Sequence, residues 1–146
     1  MNLIRCLHIT NAREAIHEMG KVGVDPTGMK LMKGKTLHYN LKVEGIAPRT
    51  ANLLKQEMLS VGGDAALDRR GLDCSSTSTA ALLMGTEKQF EKLFSKLEQY
   101  PDLQPFGHKR PVHAFERHHV AHGGERHKVE QAEQIRFSAG STPEVS

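Results

Sequence analysis

Residues 52–67, Asn-Leu-Leu-Lys-Gln-Glu-Met-Leu-Ser-Val-Gly-Gly-Asp-Ala-Ala-Leu, constrain this chain more than any other stretch. A helix pattern runs straight into Gly62-Gly63 and then into Asp64-Ala65-Ala66. One glycine suffices to end a helix in the left-handed conformation. A second, followed by one acid among small residues, points to backbone that closely approaches a ligand, another domain or a neighbouring strand. The helix is legible upstream. Pro48 suits a first turn, and Ala47, Ala51, Leu54, Met58 and Val61 fall on one face. Lys55, Gln56 and Glu57 lie on its polar side, and a solvated face is the expectation for Glu57.

A second junction lies downstream. Ala80 to Met84 is a short apolar run that reads as a buried central strand. Gly85 and Thr86 follow, with Thr86 and Gln89 spaced as a capping box. Phe90, Leu93, Phe94 and Leu97 then make an apolar helical stripe. A glycine and a cap at a helix N-terminus can present amides to an anion, and are also simply how a helix starts.

The first third alternates elements too. Leu3, Leu7 and Ile9 share one face of a strand and Ile4 and Cys6 the other, so this segment is expected to be buried on both sides with Cys6 a buried thiol. Asn11 and Glu14 predict a capped helix through Ala12, Ala15, Ile16 and Met19, ended by Gly20 and Gly23. Asp25-Pro26-Thr27-Gly28 reads as turn chemistry. Met29 to Lys33 is a candidate short strand leading into a second one. In that second strand Leu37, Tyr39, Leu41 and Val43 alternate with His38, Asn40, Lys42 and Glu44. Residues 64–79 read as a long loop with a short strand near Leu72-Asp73-Cys74.

This order predicts an α/β or α+β fold: a small sandwich of three to four strands with about three helices, over residues 1–107. No 20–50-residue repeat is present. Residues 108–146 carry six of the nine histidines and few large apolar side chains, so a flexible His-rich tail is expected there. His113, His118, His119, His122 and His127 invite a zinc reading. They lack a Cys partner, a helical His-Glu-x-x-His and an apolar frame, so no metal site is assigned.

Composition removes several classes of function. The 146 residues carry a net charge of +3 with both signs interspersed, no Trp and seven Phe plus Tyr. A nucleic-acid partner is therefore not expected. Two cysteines, Cys6 and Cys74, are too few for a disulfide framework, and no His lies near Cys74 in sequence to make it a nucleophile. No apolar stretch reaches the roughly 20 residues of a membrane span. The start of the chain does not read as a signal peptide, and the expected location is the cytoplasm.

Taken together, residues 51–66, residues 82–90 and the Gly-Val-Asp-Pro turn at 23–26 resemble the N-terminal domain of the atypical, long-form dihydropteroate synthases. In that family a small α/β domain precedes a (β/α)8 barrel that condenses p-aminobenzoate with a dihydropterin pyrophosphate. The resemblance implies a role in folate biosynthesis as the accessory domain of a transferase. The family's barrel motifs, an Asn-x-Thr-x-Asp-Ser-Phe strand end and a Gly-Gly-Glu-Ser-Thr-Arg-Pro segment, are both absent here. A barrel also takes about 250 residues, so no TIM barrel is expected in this chain.

No catalytic residue is therefore assigned, and no cofactor: the family's magnesium goes with the barrel. The resemblance implies that Lys55, Gln56, Gly62, Gly63, Asp64, Gly85 and Thr86 face a partner or ligand, the partner being a dihydropteroate synthase barrel. The domain by itself is expected to be inactive. The loss of pattern after Gly107 fits a replaced or out-of-frame end. The alternative is a stand-alone interaction or small-ligand-binding module unrelated to folate.

Overall fold

A computed structural model describes residues 2–69 and 77–103. Its elements follow the order α1 (Ala12–Val22), α2 (Pro26–Thr36), β1 (His38–Ile46), α3 (Pro48–Ser60), β2 (Asp64–Leu67), β3 (Thr79–Thr86) and α4 (Glu87–Leu97), then a 3-10 turn, Pro101–Leu103. The fold is α+β. The short strand expected near Leu72-Asp73-Cys74 and the expected tail, residues 108–146 with their histidines, lie outside the described residues.

The three strands form one antiparallel sheet in the order β1-β3-β2. Both edge strands oppose β3, so β1 and β2 run in the same direction. They are linked by α3, with β3 inserted between them, a split βαβ arrangement. Opposed residues share a face. Tyr39, Leu41 and Val43 of β1 therefore align with Gly85, Leu83 and Ala81 of β3, and Ala65 and Leu67 of β2 with Leu83 and Ala81. This face carries α3 and α4. The alternation expected in β1 is present, with Tyr39, Leu41 and Val43 half-buried between exposed neighbours.

Leu54 and Met58 from α3 and Phe90, Leu93 and Leu97 from α4 are wholly buried against Ala65, Ala81 and Leu83. Phe90 and Phe94 stack with ring centroids 6.0 Å apart. Burying one such side chain contributes roughly 1.5–3 kcal/mol, so this one layer accounts for most of what holds the sheet to its helices. Helix α2 lies across α4, with the Lys88 ammonium donating to the Leu31 carbonyl at 3.1 Å, and α1 packs on α2.

Three expectations for the first third are corrected. Residues 2–10 form no strand, and Leu3, Ile4 and Leu7 are 71%, 95% and 55% exposed, with Cys6 also exposed. Asp25-Pro26-Thr27-Gly28 opens α2 instead of a turn. The Asp25 carboxylate accepts from the Gly28 amide at 2.9 Å, and Pro26 sits at the first helical position. Met29 to Lys33 are accordingly helical. Helix α1 begins at Asn11 as expected, with Asn11 Oδ1 accepting from the Glu14 amide at 2.9 Å. The Glu14 carboxylate, however, takes the amide of Thr10 at 2.8 Å, so the reciprocal half of the cap is offset by one residue. Gly20 is inside this helix, and Gly23, at φ 87°, ends it.

Candidate functional site

The two junctions singled out in the sequence meet at one end of the sheet. Helix α3 ends in a Schellman motif: the Gly62 amide donates to the Leu59 carbonyl and the Gly63 amide to the Met58 carbonyl, both at 3.0 Å. Gly62 has φ 87°, which favours glycine. Gly63 has a different reason. A Cβ there would run into the Met58 side chain and stand 2.8 Å from the Met84 carbonyl oxygen. Gly85 meets the same methionine, because a Cβ on it would also collide with the Met58 methyl. The close approach encoded by the double glycine is thus to a neighbouring strand and a buried methionine.

Asp64 was expected in a loop and instead begins β2, pairing with Met84. Its Oδ1 accepts from the Ala65 amide at 2.7 Å, and the residue is otherwise exposed. Across the sheet, Thr86 caps α4 in the capping box read from the sequence. The Gln89 amide donates to Thr86 Oγ1 at 3.3 Å and the Thr86 amide to Gln89 Oε1 at 2.8 Å. The Glu87 amide is taken by the Leu37 carbonyl at 2.9 Å. Three amides at this helix start therefore already have acceptors, which leaves little for an anion.

Gly62, Gly63, Asp64, Gly85 and Thr86 are therefore neighbours. Gln89 closes the group, its Nε2 lying 3.2 Å from where a Gly62 Cβ would be. Lys55 and Gln56 stand apart from them on α3, Lys55 half-buried beside the Leu54–Met58 stripe and Gln56 exposed. Neither side chain makes a hydrogen bond or ion pair with another described residue. The arrangement offers a surface on which the Lys55 and Gln56 side chains have no polar partner among the described residues. Among the described residues it brings together no set of groups poised for proton transfer or nucleophilic attack.

Sequence reasoning missed Glu57. It is not a solvated residue but the hub joining α3 to α4. Tyr100 Oη donates to its Oε1 at 2.8 Å, and Lys96 Nζ lies 3.3 Å from its Oε2. The same ammonium donates to Ser60 Oγ at 2.7 Å. The Tyr100 hydrogen bond, then Lys96, hold the Glu57 carboxyl below its ordinary range, and the same bond pushes the Tyr100 phenol up. The i, i+4 spacing of Lys96 and Tyr100 was a visible signal; that it faces position 57 was not. An open groove of about 510 Å³ lies beside this cluster, lined by Ser60, Val61, Glu91, Lys92, Ser95 and Lys96.

Among the described residues, no group of three or more His, Cys, Asp and Glu side chains could hold a metal ion. No helix among them is long and apolar enough to cross a membrane. Cys74 lies outside the described residues.

Comparison with known proteins relates most of this chain to a region of a folate-pathway enzyme. Over 100 residues, 68% of its length, it is 35% identical to a protein of Halobacterium salinarum described as a probable bifunctional folylpolyglutamate synthase/dihydropteroate synthase. The chain spans 11% of that relative's length. No family model matches the chain, and no solved structure does.

Proposed function

We propose that this chain is an accessory domain of the dihydropteroate synthase type. It works against a barrel that condenses p-aminobenzoate with a dihydropterin pyrophosphate, and has no turnover by itself. The observation that carries the reading is the size of the match. One hundred residues align at 35% identity with a protein named for two synthases, yet they make up 11% of it. That is the footprint of one small domain, since a (β/α)8 barrel needs about 250 residues.

In this reading the end of the sheet bearing Gly62, Gly63, Asp64, Gly85 and Thr86, together with Lys55 and Gln56, meets the barrel. Support comes from the side chains of Lys55 and Gln56, which have no polar partner among the described residues, and from the exposed Asp64. The glycines shape the backbone that carries Asp64 and need not touch a ligand. The chain itself holds no cofactor, and the pterin and magnesium belong to the barrel.

Two measurements test this. Purified chain mixed with p-aminobenzoate and dihydropterin pyrophosphate should give no dihydropteroate, and turnover by the chain alone would overturn the reading. Titration of a dihydropteroate synthase barrel with the chain should show binding that Lys55→Glu combined with Asp64→Lys weakens at least tenfold. Equal affinity of wild type and variant would remove this end of the sheet as the contact.

A further inference from the structure

Residues 2–9 and the outer edge of β1 share a deficiency. The first have no regular secondary structure and no hydrogen bond to another described residue. The second is an edge strand of nine residues, open on one side among the described residues. Yet Leu3 to Ile9 carries a strand pattern with apolar side chains on both faces, and Leu3, Ile4 and Leu7 are left 71%, 95% and 55% exposed. Apolar surface of this kind, with unpaired backbone beside it, is what β-augmentation consumes.

We propose that Leu3–Ile9 adds as a strand to the β1 edge of a second copy of this chain, and that the exchange is reciprocal. Three observations single out a second copy as the occupant. First, both halves of the interface, the unpaired segment and the open edge, lie on this one chain, so a two-fold exchange satisfies both and leaves neither β1 edge open.

Second, the lengths agree. The pairing of β1 with β3 shifts register between Glu44 and Ile46, where Gly45 adopts φ 71°. This leaves His38–Glu44, seven regular residues, to receive the seven residues Leu3–Ile9. The opposite edge strand, β2, has only four.

Third, the segment's neighbours within its own chain are α1 and α2. The Thr10 amide and hydroxyl bind the Glu14 carboxylate at 2.8 and 3.0 Å, which fixes the entry into α1, and α1 packs chiefly on α2. Within its own chain the segment stays underpacked. Leu7 and Ile9 stand over an open apolar groove of about 480 Å³ shared with Met19, Val22, Val24 and Met32. Reciprocal exchange doubles the buried surface, which brings two short strands toward the roughly 1,200 Å² that a specific interface needs.

The test uses the full chain in sedimentation velocity with light scattering at high micromolar concentration. Wild type should run at twice the monomer mass, and Leu3→Asp combined with Leu7→Asp at the monomer mass with its helical circular dichroism retained. In a Cys74→Ser background, oxidation of the Leu41→Cys variant should link Cys6 of one copy to position 41 of the other, the midpoint of each seven-residue segment in either strand direction, giving a reducible dimer. A monomeric wild type overturns the proposal and leaves an adjoining part of a longer enzyme as the occupant. A dimer that survives the double aspartate substitution, or forms no Cys6 cross-link, overturns it as well.

Discussion

The Met58 side chain occupies the space in which a Cβ on Gly63 would stand. It does the same at Gly85, so one buried methionine explains two glycines that are distant in sequence and adjacent in space. This relationship turns a suspected ligand loop into a packing solution. A wholly buried thioether from α3 is laid against the backbone at Gly63, just before β2, and at Gly85 in β3.

Substituting alanine at Gly63 or Gly85 should therefore destabilise the fold by about 1–3 kcal/mol, as overpacking does. Gly63→Ala should cost more, because the Met84 carbonyl, which is backbone and cannot swing away, is also in reach. Combining Gly63→Ala with Met58→Ala should cost less than the sum of the two single changes, since the second relieves the clash of the first. Urea unfolding of the four proteins checks this, and strict additivity would refute it.

Gly62 tests backbone conformation alone. At φ 87°, with only the end of the Gln89 side chain near its Cβ position, Gly62→Ala should cost about 1–2 kcal/mol. Gly62→Asn should cost less, because asparagine tolerates the left-handed region. Equal unfolding midpoints for the two variants would count against the Schellman end as the reason for this glycine.

Thr79 is buried in β3, and its hydroxyl has no hydrogen-bond partner among the described residues. Thr79→Val keeps the shape and removes the unpaired oxygen. It should be neutral or stabilising by up to about 1 kcal/mol. A loss of more than that in thermal or urea unfolding would mean that the hydroxyl does have a partner.

The α3–α4 cluster predicts a bounded pH range for stability. The Glu57 carboxyl is held below its ordinary range by the Tyr100 hydrogen bond and then Lys96. Its contribution is thus present above the unfolded carboxyl value and is lost as pH falls through the lower folded one. Tyr100 is raised, chiefly by its hydrogen bond to Glu57, so its contribution is complete below the ordinary tyrosine value of 10.0 and fades as pH rises through the higher folded one. Tyr39, raised by burial and then by Glu87, acts with the same sign. Tyr100→Phe should shrink both limbs of the urea midpoint against pH while leaving the Tyr39 part of the alkaline limb. An unchanged alkaline limb would show that Tyr100 is not tied to Glu57 in solution.

The junction of β3 with α4 was legible in the sequence almost residue by residue. Thr86 and Gln89 form the capping box that their spacing implied, and Phe90, Leu93, Phe94 and Leu97 are the buried stripe. Each signal there is local, a cap or a period of 3.6, and does not wait on a distant partner. Asp25-Pro26-Thr27-Gly28 shows how a local signal can still mislead. Aspartate before proline opens a helix as readily as a turn. For Asp64-Ala65-Ala66-Leu67 there was no strand signal at all, because pairing with Met84 to Ala81, not side-chain preference, makes those residues β2.

By itself, then, the sequence determined α3, β3 and α4, their caps and their apolar faces, because these follow from chain stereochemistry and hydrophobic spacing within a few turns. It also marked the Gly62-Gly63 junction as a place of close approach. Only the tertiary structure decided what approaches. The Met58 thioether and the Met84 carbonyl reach Gly63 from other elements, and Glu57 meets Lys96 and Tyr100 across two helices. Contacts between residues tens of positions apart depend on how the sheet orders its strands, and no local pattern in the chain encodes that order.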